Sequence, residues 1–240
     1  MSDLLEMALE AHGGLALWRQ LTAITADMTV GGSLFEMKGQ GGTLGKTTMV
    51  VDPRKPHATY SPVGMPGLKG IYDGDQRVAI ETEAGRLLEQ RPSPRTVFAD
   101  MPREHPWDLL HLMYFCGYAG WNYLTIPFIF TYPGFVTEEI TPWEEAGETW
   151  RRLKVQFSPD IPTHCPQQTF YFDEKGLLRR QDYEAEVVSS LPTAHYLYDH
   201  ANFSGLVMPT RRRALRRQAD GTSVPGDPFV EIGYSNIRLS

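Results

Sequence analysis

The sequence predicts a mainly β (α+β) fold, an antiparallel half-open β-barrel or meander with an N-terminal helix and a helical lid insertion. Three observations carry that expectation. From Thr22 onward the apolar pattern takes a period of two, in short runs divided by Gly or Pro, as half-buried strands do. Neighbouring runs are joined by tight turns, Tyr72-Asp73-Gly74-Asp75 and Asp173-Glu174-Lys175-Gly176 among them, and such turns link antiparallel strands. Helical periodicity is confined to residues 3–20 and 94–124. No repeat, low-complexity tract or linker divides the 240 residues, so a single domain over 1–240 is expected.

Taken in order, Ser2 or Asp3 caps a helix over 3–20, with Leu4, Leu5, Ala8, Leu15 and Trp18 as its apolar stripe and Ala11-His12-Gly13-Gly14 inside it. A first meander over 22–91 holds strands at 22–30, 33–39, 43–52, 57–61, 68–73 and 76–82. The insertion over 94–124 comprises a short helical piece near 94–100 and a long helix from Pro106 to about Leu124. Pro106 suits a first helical turn, where its missing N–H costs nothing. A second meander over 125–240 holds strands at 136–141, 149–157, 167–172, 177–187, 194–203, 207–217 and 229–238.

This order, with Ile71-Tyr72-Asp73-Gly74, Phe170-Tyr171-Phe172-Asp173 running into Gly176-Leu177-Leu178, and Gly205-Leu206-Val207-Met208-Pro209-Thr210, resembles the lipoprotein-carrier (LolA/LolB-like) family. The resemblance implies an incomplete barrel wrapped around an apolar cavity with helices as its lid. The chain also looks like uncharacterised bacterial proteins that begin with a segment such as Ala11–Gly14, which implies no activity.

Composition excludes several function classes. A formal net charge of -6 gives a nucleic-acid partner no electrostatic support. The apolar-looking stretch 107–135 carries Asp108, His111, Asn122, Pro127 and Pro133, so stable membrane insertion is not expected. The N-terminus has neither a basic n-region nor an apolar h-region, and a cytoplasmic location is expected. Cys116 and Cys165 lack metal-ligand spacing and are expected to be reduced. No phosphate loop, dinucleotide fingerprint, nucleophile elbow or zincin helix occurs, so no cofactor is expected. A metal held by His164, Cys165 and His195 has only a lone His–Cys pair behind it, and no metal is expected.

Chemistry concentrates on the long helix. His111, Tyr114, Tyr118 and Asn122 fall within roughly 80° of one another at helical spacing, on a surface otherwise coated by Leu109, Leu112, Met113, Phe115, Cys116 and Trp121. A helix apolar nearly all round is buried, so these polar tips need partners. They either face a bound molecule or bond to strand carbonyls and water. His111, Tyr118 and His195 are the candidate acid–base groups, and Tyr114, Trp121, Asn122, Arg180 and Tyr183 the candidate ligand contacts. Arg180, paired with Asp182, is expected to supply a polar end to the cavity. His195 and Asp199 are expected on one strand face with His200 on the other. The run Arg211-Arg212-Arg213-Ala214-Leu215-Arg216-Arg217 reads as a solvated edge strand, with an anion site as the alternative. Two functions stay open: a binder of a lipophilic or aromatic small molecule, or a cofactor-independent isomerase, lyase, dehydratase or cyclase in the same cavity.

Overall fold

The computed structural model describes residues 2–240. Helix α1 (Asp3–Ala11) starts where the Ser2 hydroxyl accepts the Leu5 N–H, and α2 (Gly14–Trp18) follows after a break. The single helix expected over 3–20 is therefore two. Gly13 has φ +119, and a Cβ there would lie 2.5 Å from the Gly205 carbonyl oxygen. His12 is the pin of this break. Its Nδ1 bonds the Val207 carbonyl at 2.8 Å and its Nε2 accepts the Leu178 N–H at 3.2 Å, tying the helices to two strands.

Thirteen strands form one antiparallel sheet in the order β6-β5-β4-β3-β2-β1-β13-β12-β11-β10-β9-β8-β7. They are β1 (Ile24–Gly31), β2 (Thr47–Asp52), β3 (His57–Ser61), β4 (Leu68–Asp73), β5 (Arg77–Thr82), β6 (Leu87–Pro92), β7 (Val136–Glu145), β8 (Glu148–Gln156), β9 (Gln167–Phe172), β10 (Leu178–Ala185), β11 (Leu191–Phe203), β12 (Leu206–Arg216) and β13 (Val230–Leu239). The two meanders meet where β1 pairs with β13, and β6 and β7 are left as edges, so the sheet is half-open. The fold is mainly β, as expected.

Three local expectations are overturned. The strand expected at 33–39 is a helix, α3 (Ser33–Met37). Gly32, at φ +116, ends β1, and the adjacent apolar pair Leu34-Phe35 buries both side chains, which alternation would forbid. The arginine-rich strand β12 is not at an edge but lies between β11 and β13. The expected face-sharing of His195 and Asp199 fails although the register is unshifted, with Thr210 opposite Asp199 between the pairs Tyr198↔Arg211 and His200↔Pro209. Asp199 has left-handed backbone, φ +57, and its exposed carboxylate pairs with Arg211 at 2.8 Å, while His195 is buried and His200 lies edge-on to His12.

The expected lid helix is α4 (Leu109–Thr125), capped by Asp108. It does more than cover the sheet: every residue from Leu110 to Thr125 is buried. Glycines permit this close approach. A Cβ on Gly117 would overlap the Tyr72 ring, and one on Gly120 would lie 2.6 Å from both Met49 Cε and the Tyr60 hydroxyl. A helix apolar on all sides gains roughly 25 cal/mol per Å² from such enclosure. No helix of the described residues is long and apolar enough to cross a membrane.

Candidate functional site

Between α4 and the concave face of β9–β13 lies a chain of buried phenols and imidazoles. Strands β10, β11, β12 and β13 turn alternate side chains inward, and this brings Tyr183, His195, Arg212 and Tyr234 to one face. The loop 158–166 drops His164 between them and the helix. Tyr118 and the His164 Nδ1 are 3.0 Å apart, and the Tyr123 hydroxyl is 2.8 Å from His164 Nε2. Tyr123 continues to the Tyr183 hydroxyl at 3.3 Å, and Tyr183 to the His195 Nδ1 at 3.2 Å. The His164 and Tyr183 rings stack at 3.9 Å.

The direction of this chain follows from counting donors. If Tyr118 donates to His164, His164 to Tyr123, Tyr123 to Tyr183 and Tyr183 to His195, every proton is used except that on His195 Nε2. The reverse direction orphans both the Tyr118 hydroxyl proton and the Nε2 lone pair. The first direction costs less, because each buried unpaired polar atom costs about 1–3 kcal/mol. Burial lowers His164 to about 3 and His195 well below its ordinary value, and it raises the four tyrosines Tyr118, Tyr123, Tyr183 and Tyr234. All are therefore neutral at pH 7.

Arg212 borders the chain. It is 2% exposed, its Nη2 donates to the Tyr123 carbonyl at 2.8 Å, and its guanidinium lies 4.5 Å from the Tyr123 ring centre. No carboxylate pairs with it among the described residues, and burial pulls its pKa down.

At the other end the chain approaches a surface cleft of about 550 Å³. The turn after β4, the segment after β6 and the segment after β10 all line it, so both halves of the sheet contribute. Phe98, Ala99 and Val187 are its apolar wall, and Asp75, Arg95 and Glu186 its polar rim. Arg95 spans the opening. It donates to Glu186 at 2.5 Å, to the Thr163 carbonyl at 3.0 Å and to the Tyr114 hydroxyl at 3.2 Å, while Tyr114 donates to Asp75 at 2.6 Å. The Tyr114 ring lies 5.3 Å from that of Tyr118, which joins cleft to interior.

The residues singled out in the sequence are thus dispersed. Tyr118, Tyr183 and His195 come together, and Tyr114 stands at the cleft. Asn122 Nδ2 donates to the Tyr118 and Pro162 carbonyls, and the Trp121 indole donates to the Asp52 carbonyl. His111 does not join them. It completes the helix cap, its Nδ1 accepting the Asp108 N–H at 3.2 Å, and it packs on Phe98. Arg180 is corrected outright. It lies on the convex face, because β10 alternates and Tyr183 is three residues away. There it is wholly buried, bidentate to Asp182 at 2.6 and 2.9 Å and bonded to Glu145 at 2.8 Å, under Trp143, Tyr171 and Tyr196. Cys165 opens onto a hollow on that same face, away from His195. Sequence reasoning missed Arg95, Tyr123, Arg212 and Tyr234 as site residues. Only Arg212 had a signal, as the inward-pointing member of an arginine run in an alternating strand.

No known family profile and no curated protein matches the sequence. Solved structures do match in fold. A DUF1329 family protein from Desulfovibrio piger is similar over 99% of this chain and 92% of its own, at a TM-score of 0.55 and 11% identity. A LolA superfamily protein from Nitrosomonas europaea is similar over 99% and 92%, at 0.52 and 9%. An outer membrane lipoprotein-sorting protein domain, described as putative, from Vibrio parahaemolyticus is similar over 98% and 92%, at 0.54 and 10%. This chain has a LolA-like fold.

Proposed function

We propose that the chain binds a lipophilic small molecule, admitted through the Arg95-spanned cleft and held between α4 and the concave face of the sheet. The observation that carries this reading is the cleft itself. Its apolar wall of Phe98, Ala99 and Val187 stands beside Arg95, which bonds the Tyr114 hydroxyl, and the Tyr114 ring lies against Tyr118 of the aromatic interior. Ligand sites are mostly apolar with a few placed polar groups, and this site has that composition. The LolA-like fold agrees with it, since one of the structures similar in fold is the Vibrio parahaemolyticus domain described as lipoprotein-sorting.

The enzyme reading draws on the Tyr118–His164–Tyr123–Tyr183–His195 chain, which could pass a proton. It is the weaker reading. A general acid or base works best with a pKa near the working pH, and burial moves these imidazoles and phenols away from neutrality in opposite directions.

The test is uptake of an environment-sensitive lipophilic dye by the purified chain, with competition by unlabelled lipophiles. Saturable uptake is expected, with faster release in Arg95→Met. A folded protein that takes up no lipophile would overturn the reading.

A further inference from the structure

The two edges of the sheet are unequal. β7 is blunted in the ways that keep an edge from pairing. Pro142 interrupts it, its register shifts between Ile140 and Trp143, and Glu138, Glu139, Glu144 and Glu145 line it. β6 carries one charge of each sign, Glu89 and Arg91, and its proline waits until the last residue, Pro92. Every residue of β6 except Arg91 is exposed. Leu87 and Leu88 stand on this edge 46% and 45% exposed, among the few large apolar side chains left in water.

The free backbone groups of β6 follow from its own ladder. The Ser93 N–H donates to the Gln76 carbonyl, and Val78 faces Arg91. Peptide groups alternate in direction along a strand, so Arg91 and Glu89 bond inward to β5. Gln90 therefore presents both its N–H and its C=O to the open edge. Pro92 lies at the same parity, so its missing N–H takes nothing from β5.

A second copy of this edge fits it. A two-fold axis normal to the sheet makes one residue of the strand face itself. Centring on Glu89 or on Arg91 opposes like charges, which destabilises a cross-strand pair. Centring on Leu88 leaves both charges without an opposite. Centring on Gln90 sets Glu89 against Arg91 twice and Leu88 against Pro92, and Gln90 exchanges two backbone hydrogen bonds with its copy. Arg91 is already held in place by Asp108 at 2.6 Å.

We infer that the chain forms a two-fold dimer by antiparallel pairing of β6 with β6, centred on Gln90. This goes beyond lipophile binding and stands or falls separately from it. Ser93 and Arg95, which line the cleft, follow just past the axis, so the clefts of the two copies flank the join. The contact is one short strand a side, below the roughly 1,000 Å² of a tight interface, so association is micromolar rather than nanomolar.

The test is sedimentation equilibrium of the full chain from about 5 to 500 μM, where a monomer–dimer equilibrium is expected. Gln90→Pro removes only an outward N–H, so circular dichroism should be unchanged while the dimer weakens at least about tenfold. Gln90→Cys should form an intermolecular disulfide under mild oxidation. Opposite residues of a hydrogen-bonded pair stand about 5.5 Å apart at Cα, a distance that a disulfide spans. Glu89→Cys, which faces Arg91 of the second copy, should cross-link far more slowly, and the native Cys116 and Cys165 are buried. This cysteine pair decides the matter if Gln90→Pro does not fold. A monomer throughout the range overturns the inference, as does a dimer untouched by a folded Gln90→Pro. Cross-linking of Gln90→Cys no faster than that of Glu89→Cys also overturns it. So does growth beyond the dimer, which would need a head-to-tail contact in place of a two-fold one.

Discussion

Acid should unfold this protein through its histidines, well above the pH at which its carboxylates protonate. His12, His164 and His195 are each 2% exposed or less, and each is neutral because burial penalises the charged ring. His12 is lowered from 6.5 to about 4, and His164 to about 3. A depressed histidine binds its proton in the unfolded chain first. Its contribution is therefore complete above pH 6.5 and is lost as pH falls toward the folded value. For His12 that loss amounts to about 3 kcal/mol. Three such groups, with the partly buried His200 lowered to about 4 as a fourth, give a slope of at least about 4 kcal/mol per pH unit between roughly pH 6 and 4.5, set against a total stability of about 5–15 kcal/mol. Asp73, held below the usual carboxylate range by His57 and Arg77 against the opposing effect of burial, loses its contribution only below its ordinary 3.8. The windows are separate. Urea unfolding at half-unit steps from pH 7.5 to 4.5 reads the slope directly. His12→Gln should flatten it by about 1.4 kcal/mol per pH unit, at some cost in stability at pH 7.5. Stability that stays level between pH 7 and 5, or a slope untouched by His12→Gln, would refute the assignment of these rings as neutral.

Other outcomes follow from packing and bonding. Gly117→Ala should destabilise by about 3 kcal/mol in thermal or urea melts, because its methyl meets the Tyr72 ring rather than a flexible chain end. Tyr118→Phe should cost about 1–3 kcal/mol, since it strips the donor from a buried His164 nitrogen; a change below 0.5 kcal/mol would argue that the hydrogen bond to His164 is not made. Cys116 and Cys165 are both free and buried, with burial raising Cys165 to about 11, so alkylation should be slow when native and give two thiols after denaturation.

The sequence alone was enough to set the element plan. Strands β3, β4 and β9 were legible to the residue, because alternation and an Asp-Gly or Gly-bounded turn are local signals that survive packing. The burial of α4 was legible in its nearly all-round apolar surface, but its start was not: Pro106 was expected in the first turn, and the helix begins at Leu109 behind the Asp108 cap. Where local signals conflict, the tertiary structure decided. Residues 33–37 alternate poorly, and Gly32 against the Phe229 carbonyl made them a helix. His12-Gly13 became a break because His12 reaches Val207 and Leu178, 195 and 166 residues away in sequence. The site shows the same division. Tyr118 was visible as a polar group on an apolar helix, and Tyr183 and His195 as inward candidates on strands, but Arg180 and Tyr183 were assigned to one cavity although strand alternation sends them to opposite faces. Which face is concave depends on the curvature of all thirteen strands, and no single strand encodes it. Arg212 became a buried inward-facing cation only because β12 lies inside the sheet, and strand order is a property of long-range pairing. Periodicity is written in neighbouring residues, whereas the partners of a buried charge are written in the whole fold.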